Sequence, residues 1–211
     1  MKIEKLVVGA VMTNCYIVYN ENSEPDAASG LRECFVVDPG DYASRILQLM
    51  DSLKLECKAI LLTHGHFDHI YAVDEIREKT GAPVYAGADE AELLGNCEMN
   101  VSKRIRKPVE VRADKLLKDG EVIQPAGITV KTIFTPGHTQ GCVCYYLRDE
   151  GLLMSGDTLF ESSIGRTDLP TGNEAEIFKS ITSKLLTLPA DTKVYPGHGG
   201  ETTIERESRF F

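Results

Sequence analysis

The sequence predicts an α/β protein, and three observations carry that prediction. The apolar run Cys57-Lys58-Ala59-Ile60-Leu61-Leu62 has the length and composition of a buried strand, and a helical stretch ending Asp74-Glu75-Ile76-Arg77-Glu78-Lys79 follows it. Just upstream, Tyr42, Ile46, Leu49, Met50 and Leu53 recur at helical spacing between two apolar runs. Finally, the chemically distinctive residues fall where apolar runs stop: Thr63-His64-Gly65-His66-Phe67-Asp68-His69, Pro136-Gly137-His138, Gly156-Asp157-Thr158 and Pro196-Gly197-His198. Open α/β sheets carry their sites at the carboxyl ends of strands, on loops held by a rigid scaffold.

Taken in order, Lys2 to Val8 and Asn14 to Tyr19 read as strands joined by a turn near Gly9, and the polar stretch Glu21 to Gly30 as an exposed connection. Glu33 to Asp38 is a strand stopped by Pro39-Gly40, and Asp41 to Leu55 is an amphipathic helix with Asp41 as its N-cap. The histidine-rich strand and turn follow. Gly81-Ala82-Pro83 ends the next helix and opens the short strand Val84 to Ala86; Asp89 to Leu94 is a short helix, and Asn96 to Arg112 carries no pattern. Gly120 to Ile123 and Ile128 to Phe134 are strands, Gly141 to Leu147 and Gly151 to Ser155 form a hairpin, Glu174 to Leu186 is an amphipathic helix, and Thr192 to Tyr195 is the last strand. No Gly/Ser/Pro linker or charge block divides the 211 residues, so one domain spanning 1–211 is expected.

With 42% hydrophobic residues a sizeable core is available. Lys+Arg 23 against Asp+Glu 32 gives a net charge of −9, which disfavours nucleic acid, where binding is driven by phosphate neutralisation. The one basic run, Lys103-Arg104-Ile105-Arg106-Lys107, reads as a solvated face. Six cysteines, none in a C-x-x-C pair and most in apolar contexts, are expected as reduced core residues. The amino-terminal residues lack a signal-peptide pattern and no stretch has transmembrane length, which predicts a soluble, cytoplasmic protein.

All five histidines lie on the strand-end segments. Imidazole and carboxylate are the donors that a borderline divalent cation accepts. A single tetrahedral zinc takes about four ligands. His64, His66, Asp68, His69, His138, Asp157 and His198 are too many for one ion, and a carboxylate between two cations offsets their repulsion. Two divalent ions are therefore expected, zinc first, with Fe2+ and Mn2+ also compatible with these donors.

These motifs resemble the metallo-β-lactamase superfamily, over nearly the whole chain. The resemblance implies a four-layer αβ/βα sandwich of two mixed sheets with the site at one edge. It implies His64, His66 and His138 around a first metal, Asp68, His69 and His198 around a second, and Asp157 as the bridge. Asp157 and the closing Pro-Gly-His198-Gly are similar to the glyoxalase II branch, where a basic residue at the Arg166 position contacts the glutathione part of the substrate. Full-length glyoxalase II adds a helical glutathione-binding domain, whereas this chain ends thirteen residues after His198. It therefore resembles the single-domain glyoxalase-II-like hydrolases.

The implied activity is hydrolysis of a small-molecule thioester, similar to a hydroxyacylglutathione hydrolase, by a metal-bridging hydroxide, with Asp68 orienting the nucleophile or accepting its proton. Thr63, Thr139 and backbone carbonyls are candidates for fixing imidazole tautomers. Two rival readings use related sites. His64, His138 and Asp157 form a two-histidine, one-carboxylate set suited to non-haem Fe(II), as in the persulfide dioxygenases of the superfamily. RNA-maturation nucleases share the H-x-H-x-D-H run, a reading the acidic balance opposes.

Overall fold

The computed structural model describes residues 1–211. Strands β1 (Lys2–Val8) and β2 (Thr13–Tyr19) form an antiparallel hairpin, with Lys2 opposite Tyr19 and Val8 opposite Thr13. β2 pairs antiparallel with β3 (Arg32–Val37); β4 (Leu55–Leu61), β5 (Val84–Gly87) and β6 (Lys115–Leu117) then add in parallel to complete a six-stranded sheet in chain order. The second sheet holds β7 (Val122–Ile123), β8 (Val130–Phe134), β9 (Val143–Leu147), β10 (Leu152–Gly156), β13 (Lys193–Pro196) and β14 (Thr202–Thr203). Its order is β14-β13-β10-β9-β8-β7, with only β10 and β13 parallel. A small ribbon, β11 (Leu159–Phe160) and β12 (Ser163–Ile164), stands apart from both.

Alternation along the strands creates the layers, because successive side chains leave a strand on opposite faces. In β2, Tyr16 and Val18 point toward the second sheet, while Cys15 and Ile17 point toward helices. In β3, Phe35 and Val37 take the first direction and Cys34 and Val36 the second. Helices α1 (Ala43–Ser52) and α3 (Val73–Thr80), with the four-residue helices α2 (Phe67–Ile70) and α4 (Ala91–Leu94), bury Ile46, Met50, Ile70, Val73, Ile76 and Leu94 on the outer face of the first sheet. On the far side α5 (Glu174–Ser183) buries Ile177 and Ile181 against Cys144, Tyr146, Leu153 and Val194. The order is helices, sheet, sheet, helix: the expected four-layer sandwich. Each fully buried Ile or Leu contributes on the order of 1.5–3 kcal/mol. Leu61, packed between the sheets, would cost about 2–5 kcal/mol if cut to alanine.

Several expected elements differ. Asp41 does not cap α1: its Oδ1 accepts from the Tyr42 amide, and Tyr42, in the left-handed region at φ 52°, holds the N-cap position without a side-chain cap. That helix stops at Ser52, and Leu55 belongs to β4, since Lys54 at φ 55° turns the chain back. Within Gly120 to Ile123 only Val122–Ile123 pairs. The strands β6, β11, β12 and β14 and the short helix α6 (Ile204–Glu207) were not expected. They have two to four residues each, too short for a periodicity to register. Residues 96–112 hold one 3₁₀ turn, Ser102–Ile105, within a loop fixed by the Asn100 side-chain amide, which donates to the Val109 carbonyl at 2.7 Å. All six cysteines are free, and five are buried. No helix is long and apolar enough to cross a membrane.

Candidate metal centre

β3, β4, β8, β10 and β13 all end at one edge of the sandwich, and each is followed by polar residues that meet there. His64 and His66 follow β4; Asp68 and His69 lie on the four-residue helix α2 (Phe67–Ile70). His138 follows β8, Asp157 follows β10 and His198 follows β13. The start of β2 ties this edge together. The Asn14 side-chain amide donates to the Pro196 and Gly199 carbonyls at 2.9 and 3.1 Å, and the Tyr16 hydroxyl donates to the Pro196 carbonyl at 2.7 Å. Gly197 is required by crowding: a Cβ there would lie 2.2 Å from Asp157 Oδ1 and 2.7 Å from His69 Cε1.

The seven expected residues meet in three overlapping groups with their donor atoms within 4.8 Å of one another: His64, His66 and His138; His64, His69 and Asp157; Asp68, His69 and His198. His66 Nδ1 lies 2.9 Å from His138 Nε2. Asp157 stands between the outer groups. Its Oδ1 is 3.4 Å from His69 Nε2, while its Oδ2 is 3.6 Å from His138 Nε2 and 3.5 Å from His198 Nε2. Asp68 is held through Oδ2, which accepts from the Thr13 hydroxyl at 2.8 Å and lies 3.3 Å from His198 Nε2.

The partners of the other ring nitrogens set the tautomers. His69 Nδ1 faces Asp38 Oδ2 at 3.0 Å, and His138 Nδ1 faces the Arg166 carbonyl at 2.6 Å; both partners are acceptors, so both nitrogens carry hydrogen. The Thr63 hydroxyl donates to Asp38 Oδ2 at 2.6 Å and so accepts from His64 Nδ1 at 3.2 Å. The Nε2 lone pairs of all three rings are then directed into the group. His64 Nε2, His66 Nε2, His69 Nε2 and Asp157 Oδ1 are buried with no hydrogen-bond partner. Buried orphans of this kind are costly. A lone pair of His69 against the carboxylates of Asp68 and Asp157 is stable only with a cation or a proton between them. The donor set therefore fits divalent metal.

Electrostatics divides the residues in the same way. Burial pushes His64 well below the usual imidazole range, and His66 to about 3, with neighbouring imidazoles adding to the effect; burial also lowers His138. Burial would lower His69 and His198 too, but carboxylates overturn it. Asp157, Asp68 and Asp38 hold His69 well above the usual range, and Asp157 and Asp68 lift His198 to about 9. Burial would raise Asp68 and Asp157, yet the facing imidazoles bring Asp68 to about 2 and Asp157 well below the carboxylate range.

Of the two threonines expected to orient imidazoles, Thr63 does so through His64. Thr139 instead donates to Glu90, whose Oε1 and Oε2 lie 3.0 and 2.9 Å from its hydroxyl. Glu90 also accepts from the Gly65 amide at 2.8 Å and the Gly141 amide at 2.9 Å, and so links the loop carrying His64 and His66 to the loop carrying His138. Asp38 and Glu90 were not singled out from the sequence. Asp38 had the available signal, a carboxylate at a strand end before Pro-Gly, like the other site segments. Glu90, inside a run of ordinary polar residues, had none. Arg166 lines the cavity over the site, but its guanidinium is engaged with Asp168 through two 2.7 Å hydrogen bonds.

Comparison with known proteins agrees with this geometry. Residues 8–198 match the family model of the metallo-beta-lactamase superfamily. The chain is 40% identical over 210 residues to the probable metallo-hydrolase YqgX of Bacillus subtilis, covering 98% of this chain and 94% of that one. It is 32% identical to the hydroxyacylglutathione hydrolase GloC of Haemophilus influenzae, covering 99% and 96%. Among solved structures, the BLEG-1 B3 metallo-beta-lactamase superposes with a TM-score of 0.90 at 37% identity over 99% of this chain and 97% of that one. The di-iron-bound form of TTHA1623 gives 0.82 at 31% over 98% and 97%. The chain belongs to the metallo-β-lactamase superfamily and is a metallo-hydrolase-type enzyme.

Proposed function

We propose that this protein hydrolyses a thioester at a centre of two divalent ions, His64, His66 and His138 holding one, Asp68, His69 and His198 the other, and Asp157 both. The observation that carries the reading is the set of buried, unpartnered donor atoms meeting at the floor of a cavity of about 540 Å³. Ions bound there would supply a water acidified to neutral pH and a Lewis acid for the substrate carbonyl.

The chain's own residues supply orientation and proton handling. Asp38, Thr63 and the Arg166 carbonyl fix the ring tautomers, which keeps three Nε2 lone pairs aimed inward. Asp68 lines the cavity and its protein contacts run through Oδ2, so Oδ1 would orient a nucleophilic water and accept its proton.

The leaving group favours a thioester over an amide. Five of the seven site residues line the cavity, His66, Asp68, His138, Asp157 and His198; apart from these, Arg166 is the one polar side chain in the lining, and it is paired with Asp168. A departing amine needs a proton donor. A thiolate, with a thiol pKa near about 8.5, leaves without one. The names of GloC and BLEG-1 indicate these two acyl substrates respectively, and the lining supports the first. The one-iron oxygenase reading was expected on His64, His138 and Asp157; the two-histidine, one-carboxylate group that meets is instead His64, His69 and Asp157, with His69 in place of His138, and this set suits the same chemistry.

Metal content of the protein purified without added metal, with zinc- and iron-reconstituted samples assayed on a thioester, a β-lactam and a persulfide in an oxygen electrode, tests the proposal. Near two equivalents and thioester turnover are expected; oxygen uptake at one iron equivalent would replace the reading.

A further inference from the structure

The cavity floor is charged, but its walls are apolar. Val11 from the β1–β2 turn, Phe67 from α2, Val101 from the 96–112 loop, Phe160 and Ile164 from the β11–β12 ribbon, and Leu169 surround the site. Phe160 stands edge-on to His198, ring centres 6.1 Å apart, so the apolar wall reaches the ligand-type residues directly. The single guanidinium in the lining is already in a bidentate pair with Asp168. The basic run beyond Val101 adds little: Lys103 is paired with Glu98, and Lys107 lies 4.1 Å over the Tyr71 ring and 3.9 Å from Asp41. Arg104 is not among the lining residues and acts on Asp168 as positive charge.

We infer that the cavity selects thioesters with an apolar acyl arm on an uncharged thiol carrier, and that Phe160, Ile164 and the Arg166–Asp168 pair set this specificity against glutathione. The inference rests on the thioester reading for its reaction and on the walls for its substrate class. Glutathione carries two carboxylates and an ammonium, and moving such charges off water is costly unless each is paired. This lining offers neither a free cation nor a carboxylate for the ammonium outside the site itself. An apolar acyl arm loses nothing on entry and gains on the order of three- to fourfold in binding for each methylene buried. Asp168 acts as an internal competitor, since it occupies the Nε and Nη2 donors of Arg166 and offsets the charge that an anionic substrate group would meet.

The test uses the metal-loaded full chain and matched thioesters. The lactoyl group is presented on glutathione and on N-acetylcysteamine, and acetyl, butyryl and hexanoyl groups on N-acetylcysteamine. Expected are a kcat/KM at least tenfold higher for lactoyl-N-acetylcysteamine than for lactoylglutathione, and a rise with acyl length. Ile164→Lys should reverse the glutathione discrimination in part, and Asp168→Asn, which frees Arg166, should raise turnover of lactoylglutathione severalfold. Equal or better use of lactoylglutathione, or no dependence on acyl length, overturns the inference while leaving the thioester reading intact. If no thioester is hydrolysed, calorimetric binding of the unreactive thioethers S-hexyl-N-acetylcysteamine and S-hexylglutathione still decides it. Tighter binding of the neutral thioether supports the apolar specificity, and tighter binding of the glutathione compound sinks it.

Discussion

The two candidate ligand groups sit a few ångströms apart and are chemically unlike. His64, His66 and His138 form a buried, all-imidazole set whose rings burial keeps neutral. Asp68, His69 and His198 form a mixed set in which the carboxylates of Asp68 and Asp157, with Asp38 behind His69, draw protons onto the rings. The difference shows how one edge of a sandwich can build two unequal cation positions from one short sequence run. Four of its residues serve the first or second set according to which side of the α2 turn they occupy: His64 and His66 precede it, Asp68 and His69 lie within it.

Removing the shared residue should erase the contrast. Asp157→Ala takes away the carboxylate facing His69, His138 and His198 at once. Metal content should fall in both positions, with an activity loss exceeding the roughly 10–100-fold typical of residues that only support ligands. Elemental analysis before and after reconstitution reads this; a variant that keeps one tight equivalent would show that Asp157 serves a single position.

Asp38→Ala should sharpen the contrast. Asp38 touches His69 directly, and the first set only through Thr63 and His64. The second position should weaken by about 10–100-fold and the first by much less. Stepwise chelator competition separates them, and equal weakening of both would mean that Asp38 organises the whole loop. Unpairing the buried Thr63 amide and hydroxyl adds a stability loss of about 1–3 kcal/mol, visible as a lowered melting temperature.

The same contrast explains what the sequence disclosed. The sandwich was legible because its layers rest on long alternating strands and on helices with a clear apolar side, such as Ile46 and Met50 in α1. The imidazoles were legible because histidine is rare here and every one lies at a strand end. Asp38 and Glu90 escaped for opposite reasons. Asp38 sits where a strand-terminating aspartate would be ordinary, and its partner His69 is 31 residues away. Glu90 is one of many glutamates, and its burial depends on two loops that meet only in the folded chain. The cavity walls were illegible because Val11, Val101 and Leu169 come from turns and loops without periodicity.

Proton competition gives a third discriminator. In the metal-free protein His198, raised to about 9, is the doubly protonated imidazolium at neutral pH, whereas His64 and His66 are neutral rings with one proton each. A cation entering the second position must therefore displace at least one proton. Its affinity should rise at least tenfold per pH unit up to pH 9, while affinity at the first position stays nearly flat above pH 6. Competition with a zinc-sensitive dye at pH 6.5, 7.5 and 8.5 would show two slopes; a single common slope would mean that the positions are equivalent.

Glu90 links the two ligand loops, and its titration is separable from metal. Burial raises its carboxyl to about 7, against the hydrogen bonds from Gly65, Thr139 and Gly141 that favour the charged form. Between the ordinary carboxyl range and about 7 the folded protein binds a proton that the unfolded chain has released, so stability falls as pH rises through that window. Glu90→Gln should flatten the metal-free protein's stability between pH 5 and 8, an effect bounded at about 3 kcal/mol. Urea midpoints at the two pH values test it, and an unchanged slope would place the titration elsewhere.

The smallest effect belongs to Thr13. Its hydroxyl donates to Asp68 Oδ2, which also faces His198 and His69. Thr13→Val keeps the shape and the strand and removes that one donor. A hydrogen bond to a charged acceptor is worth about 1.5–3 kcal/mol, but Asp68 is partly exposed and water can replace the hydroxyl. A loss of severalfold in metal affinity is expected, confined to the second position, with the first unchanged. Because Thr13 begins β2 and bridges to His198, the variant also asks whether that strand sets the second position through its backbone or through this side chain. A Thr13→Val protein with wild-type affinity at both positions would assign the task to the backbone.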